Sequence, residues 1–272
     1  MLEVSVVIAV YRDVFNLKDT VESVLRQCTN FDFNIVLVSD GNSKSDFEEI
    51  QKFRCDKLEI LENIENLGLT VSLIKGIQST TARYIARIDV GDIMLTTNRL
   101  QRQYDCLKSH SGCVITGHRY FLYTDSLKSL YVSRKLPKVI EEVAFHKTLF
   151  GHVTVMFDKV AYEACGGYNS QLRTGQDSDL WPRLLRHGHA IFDPRIMTLV
   201  TMNEQSISVS QNNQQYISKI KRLWDNNDYI NAVLSVLKLC IPRDFRLRLM
   251  YKKSYTLLSR NISQESVIEK LQ

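Results

Sequence analysis

Cysteine pairs at metal-ligand or redox spacing are absent. The six cysteines (Cys28, Cys55, Cys106, Cys113, Cys165, Cys240) are scattered and form no CxxC. That excludes a zinc ribbon and a thioredoxin-type motif, and the thiols read as reduced packing residues of a cytosolic protein. Four prolines and eleven glycines are too few for a flexible linker or a low-complexity tract. No apolar run approaches the about 18 residues that a membrane span needs. The opening MLEVSVVIAVYRD has no basic n-region and turns polar at Tyr11, so it predicts a buried strand and not a signal peptide. The expected location is the cytoplasm, with at most a peripheral attachment to the inner face of the cell membrane. Phosphate-loop signatures are also missing. No GxGxxG follows the first strand, and no GxxxxGK followed by Ser or Thr occurs anywhere, which argues against a dinucleotide-binding dehydrogenase and a P-loop NTPase.

What is present is an ordinary globular composition over 272 residues, 44% hydrophobic and 24% charged, long enough for a sizeable core. Continuous apolar runs predict buried strands at 4–10, 34–40, 57–63 and 83–89, and helical spacing predicts helices at 16–27, 47–53 and 69–80. This alternation is the signature of a doubly wound parallel sheet, in which ligands bind outside the carboxyl ends of the strands. Tyr11, Asp13, Asp40, Asn66, Asp89 and Asp92 all fall at those ends. Beyond residue 100 the pattern changes to a helix over 99–110, a strand over 112–123 and a basic connector over 131–150 that leads into a helix. A strand over 151–159 follows, then a turn and helix within 162–189. The expected division is a catalytic domain, 1–204, made of a nucleotide-binding half (1–100) and an acceptor-binding half (101–204), then a helical, basic tail, 205–272.

Five stretches, in order along residues 3–200, carry a family pattern: VSVVIAVYRD, IVLVSDGNS, ENLGLTVSLIKGI, RYIARIDVGDI and GGYNSQLRTGQDSDLWPRL. Together they resemble the family 2 glycosyltransferases of the GT-A fold, inverting enzymes that use sugar nucleotides. The resemblance implies an α/β, Rossmann-like, mostly parallel sheet with an acceptor-side half, here extended by the C-terminal appendage. It implies that Tyr11 lies against the nucleotide base and that Asp40 hydrogen-bonds it, with Asp13, Asn66, Arg87 and Asp89 completing the nucleotide-binding set. The chemistry agrees, since an aromatic face stacks a base and a carboxylate accepts from a ring N–H. The plain alternatives are a half-buried tyrosine at a strand end and an Asx turn before Gly41.

The family's acidic motif reads DxDD or DxD, and Asp89-Val90-Gly91-Asp92 lacks the middle carboxylate. A divalent cation, Mn²⁺ or Mg²⁺, held to a diphosphate needs one or two protein carboxylates. Asp92 and Asp89 are the expected metal pair, with the chain turning at Gly91. The alternative is an ion pair between Arg87 and Asp89, which share one face of a strand. Asp177 stands where the family places the carboxylate that takes the acceptor hydroxyl's proton. Asp179 is its local competitor or helper, unless either acid simply caps the helix that follows. His152, Gly167, Asp179 and Trp181 are assigned to the acceptor or diphosphate side, the indole as an apolar platform for a sugar. A structural histidine and a core tryptophan are the alternatives.

The implied activity is inverting transfer of a sugar from a nucleotide-sugar donor, UDP-linked by the pairing of Tyr11 with Asp40. The acceptor is a glycan or lipid-linked oligosaccharide in bacterial surface polysaccharide (capsule or O-antigen) assembly. A nucleotidyltransferase and a catalytically idle nucleotide-sugar binder are the rivals. The first lacks a Gly-rich phosphate loop after the first strand, and the retained Asp177 opposes the second. Between Lys219 and Lys253 nine basic residues meet three acidic ones, and apolar residues from Ile230 to Ile241 recur at helical spacing. Such a segment reads as a membrane-surface element, or as a solvated face packed on the domain. No nucleic-acid recognition motif accompanies it.

Overall fold

A computed structural model describes residues 2–143, 149–202, 217, 219–220, 228–239 and 255–271. Its centre is a parallel block. Strand β1 (Leu2–Val10) lies between β2 (Asp32–Asp40) and β4 (Tyr84–Arg87), and β3 (Leu58–Asn63) pairs with β2. The β-branched run of β1 explains its place, because it is buried on both sides. Val4, Val6, Ile8 and Val10 join one core with Leu17, Val21 and Val24 of α1 (Leu17–Leu25), Ile50 of α2 (Lys44–Gln51) and Leu100 and Tyr104 of α4 (Arg99–Ser109). Val7, with Val36 and Val38, joins a second core with Leu73 and Ile77 of α3 (Leu69–Ser79). Alternation at period two thus feeds two helical layers from one sheet.

The sheet continues past β4 through β9 (Met156–Asp158), β6 (Cys113–Thr124) and β7 (Ser129–Ser133), each antiparallel to its neighbour. The long strand β10 (His189–Met202) runs parallel to β6, and antiparallel to the short β5 (Ile93–Met94) and β8 (Val139–Ile140). Two further helices, α5 (Lys159–Ala164) and α6 (Gln176–Leu184), close the acceptor-side half.

Three expectations are corrected here. The strand expected over 151–159 is reduced to 156–158, because residues 152–154 form a helical turn in which the Thr154 N–H and hydroxyl both donate to the Gly151 carbonyl. The connector expected from 131 begins with a strand, β7, and its expected helix reaches into 144–148, outside the described residues. The appendage is not wholly helical. Strand β11 (Tyr255–Arg260) adds antiparallel to β7, and α8 (Gln264–Leu271) buries Val267 against Ile93, Tyr123 and Leu199. Much of the basic segment (221–227 and 240–254) lies outside the described residues. Helix α7 (Tyr229–Leu239) buries Ala232 and Ser235 and exposes Ile230, Val233 and Leu234. Among the described residues no helix is long and apolar enough to cross a membrane.

Candidate active site

The carboxyl ends of β1, β2, β3 and β4 form one edge, and the polar residues expected there are brought together on it. Tyr11, 40% exposed at the end of β1, has the Arg12 guanidinium carbon 4.8 Å above one ring face. Arg12 holds φ at +61°, a backbone turn sustained by Asn42: its Oδ1 accepts from the Arg12 N–H at 2.7 Å and its Nδ2 donates to the Val10 carbonyl at 2.8 Å. Asn42 therefore aims Tyr11, a role the sequence reading missed. Asp13 accepts from Asn16 Nδ2 at 2.8 Å at the head of α1.

Asp40 is 2% exposed, and its carboxylate is committed inward. Oδ1 accepts from Asn63 Nδ2 and the Leu67 N–H, and Oδ2 from the Gly68 N–H, each at 2.9 Å. Asp40 thereby pins the 64–68 loop to the end of β2, and exposed Asn66 leans back on its carbonyl at 3.4 Å.

The acids after β4 separate. Arg87 is fully buried and donates from Nη2 to Asp89 Oδ1 at 2.6 Å and from Nη1 to the Val7 carbonyl at 2.7 Å. The ion pair that sequence left as an alternative is the arrangement observed. Arg87, expected to touch nucleotide, has no exposed surface and holds Asp89 in place. Asp92 is 4% exposed, and its Oδ1 accepts from the Thr201 N–H of β10 at 3.0 Å. Burial, then the neighbouring Asp89 charge, raise its carboxyl well above the usual range. Beneath it lies Arg99, also fully buried, which donates to the Arg87 and Val153 carbonyls and to Thr198 Oγ1. Burial pulls Arg99 down to about 9, which leaves it cationic at neutral pH.

Across this edge stands α6. Gly175, in the left-handed region, is its N-cap and supplies no side chain, so neither acid caps the helix. Asp177 lies half-buried in the first turn, where the helix dipole favours a negative charge. Asp179 instead accepts from Arg183 Nη2 at 2.6 Å, and Arg183 also donates to the Cys165 and Gly167 carbonyls. That corrects Asp179 to a brace for the Gly166-Gly167 turn. Gly167 is corrected too: with φ at +63°, a Cβ there would meet the Tyr162 ring at 2.8 Å, so the glycine admits Tyr162 and not a ligand. Trp181 has no exposed surface and packs on Phe157 and His152, which makes it core and not a sugar platform.

His152 Nε2 lies 2.6 Å from the Tyr168 hydroxyl. Burial, then the Arg87 charge, push His152 down to about 3, so it is neutral at physiological pH and orients rather than carries protons. The Tyr168 hydroxyl is raised by burial, with Arg87 opposing and both Asp177 and Asp89 adding to the rise. The charges of the acid after β4 and of the acid on α6 thus both act on this hydroxyl.

Sequence and structure comparisons identify the family and the fold. The profile of Glycosyl transferase family 2 matches residues 5–159, more than half of the chain. This chain belongs to glycosyl transferase family 2. The glycosyltransferase is 30% identical over 181 residues to the amylovoran biosynthesis glycosyltransferase AmsE of Erwinia amylovora, covering 65% of this chain and 66% of that one. It is 29% identical over 192 residues to glycosyltransferase EpsE of Bacillus subtilis, covering 68% of each. The matches therefore span about two thirds of these relatives. Among solved structures, the mannosyltransferase PcManGT of Pyrobaculum calidifontis, in complex with GDP-Man and Mn²⁺, superposes with a TM-score of 0.63 at 13% identity over 90% of this chain and 72% of that one. TarS of S. aureus (residues 1–349) in complex with UDP-GlcNAc gives 0.63 at 13% over 81% and 65%. These likenesses establish the GT-A fold of the transferase.

The glycosyltransferase fits a resident divalent cation poorly, on the arrangement of the two carboxylates expected to hold it. Asp92 is buried with its Oδ1 accepting from the Thr201 N–H, and Asp89 is paired with Arg87. Besides Asn42, sequence reasoning missed Arg99, Thr201 and Tyr168. Only Tyr168 sat in a quoted motif, GGYNS, where an aromatic after paired glycines was the available signal.

Proposed function

We propose that this glycosyltransferase moves a sugar, with inversion, from a UDP-linked donor to a glycan or lipid-linked acceptor during bacterial surface polysaccharide assembly. The observation that supports the reading is that the charges of Asp177 on α6 and Asp89 after β4 both raise the buried Tyr168 hydroxyl, which lies 2.6 Å from His152 Nε2. Asp89, with a side chain 36% exposed, faces donor hydroxyls, and the exposed Tyr11 ring stacks on the base. Asp177 takes the acceptor hydroxyl's proton as that oxygen attacks the anomeric carbon. The names of AmsE and of the teichuronic acid biosynthesis glycosyltransferase TuaG of Bacillus subtilis support a polysaccharide role.

A melting-temperature screen of UDP, GDP, dTDP and CMP tests the donor, because ligands that bind only the native state stabilise it. UDP should give the largest rise, and no rise with any nucleotide would refute the reading. Tyr11→Ala should weaken UDP binding by about 1–2 kcal/mol, the loss of one base–aromatic stack; an unchanged dissociation constant by titration calorimetry would return Tyr11 to a purely structural part. The exposed Ile230, Val233 and Leu234 of α7 support peripheral contact with an anionic inner leaflet, read by vesicle co-sedimentation that fades with salt.

A further inference from the structure

The turn after β4 is a poor cation site for reasons of charge as well as of ligand count. Position 91 carries no side chain, and a Cβ there would meet only Asn16 Cβ, at 3.8 Å. Asp92 is 4% exposed, and its Oδ1 accepts from the Thr201 N–H. The remaining carboxylate, Asp89, sits 2.6 Å from Arg87, and that guanidinium is locked in place by the Val7 and Ile88 carbonyls at 2.7 and 3.3 Å. A cation that drew Asp89 away would strand a fully buried positive charge, a costly state. Formally, Arg87 and Arg99 balance Asp89 and Asp92, so the cluster is not net negative as a cation clamp should be.

We infer that this enzyme binds its nucleotide sugar without a protein-held divalent cation, the Arg87 guanidinium having taken the carboxylate that a cation would use. The inference rests on the nucleotide-sugar reading and deepens it. It predicts that the electron paramagnetic resonance signal of aqueous Mn²⁺ is undiminished by an equimolar amount of the full chain. It also predicts that UDP or GDP binds with the same dissociation constant, to within about threefold, in EDTA and in MnCl₂. Loss of the Mn²⁺ signal, or binding tightened by about tenfold or more in MnCl₂, would overturn it while leaving the nucleotide-sugar reading intact. If neither nucleotide binds in either buffer, both fall.

The variant Gly91→Asp places a carboxylate at the open position, in a backbone conformation that aspartate and asparagine tolerate better than other side chains. It should make UDP binding tighten with Mn²⁺ by about tenfold, whereas the uncharged, equally sized Gly91→Asn should not respond. A Gly91→Asp protein as indifferent to Mn²⁺ as Gly91→Asn would show that the missing carboxylate is not the cause, and would overturn the account.

Discussion

Asp177→Asn should lower turnover of the sugar nucleotide by about 100- to 10,000-fold, the usual contribution of a positioned general base. Nucleotide binding should survive, because Asp177 stands in the first turn of α6 and not at the strand ends proposed to hold the donor. Asparagine keeps the size of the side chain and loses only its ability to accept a proton. The neighbouring acid cannot take over. Asp179 Oδ2 is held by Arg183 at 2.6 Å, and that guanidinium also secures the Gly167 carbonyl. Steady-state kinetics with parallel calorimetry separate the two effects. Turnover within about tenfold of the parent would place the base elsewhere.

The second large effect is on stability. Asp40→Ala should destabilise the protein by about 3 kcal/mol, because it leaves the Asn63 amide and the Leu67 and Gly68 N–H groups without their shared acceptor in a buried setting. For a chain of this size that is a fall of about 6–12 °C in melting temperature. The 64–68 loop lies against the end of β2, so nucleotide affinity should fall with it. Asp40→Asn retains one acceptor oxygen and should recover part of the loss. A melting temperature within about 2 °C of the parent for Asp40→Ala would show that the loop is held by other means.

The parallel block was legible because strands covered on both faces must be apolar throughout, as SVVIAV and IVLVS are. Strand β10 was not, since Asp193-Pro194 interrupts its apolar run. The chain absorbs that interruption as a register shift against β6 between Asp193 and Ile196. Strand β11 was hidden for the opposite reason: Leu257 and Leu258 are both substantially exposed, so no alternation marks a buried face. The polar residues at the strand ends were legible in the sequence, and their partners were not. Asp40, Arg87, Asp89 and Asp92 were all found, but which of them faces ligand depends on partners far along the chain. Thr201, 109 residues beyond Asp92, closes off that carboxylate, and no local pattern announces it. Arg87 and Asp89 are the exception. Two residues apart on one strand face, they offered their ion pair to a sequence reading, and burial of the arginine made it the outcome.

The central claim is that Asp89 and Asp177 serve one displacement at the anomeric carbon. Water can replace the acceptor in slow hydrolysis of the donor, so the stereochemistry can be read before any acceptor is known. The measurement is proton NMR of the sugar freshly released from an α-linked UDP-sugar, followed before mutarotation scrambles the anomers. A single displacement predicts that the β-anomer appears first, and that Asp177→Asn suppresses its release. Initial release of the α-anomer would contradict the account.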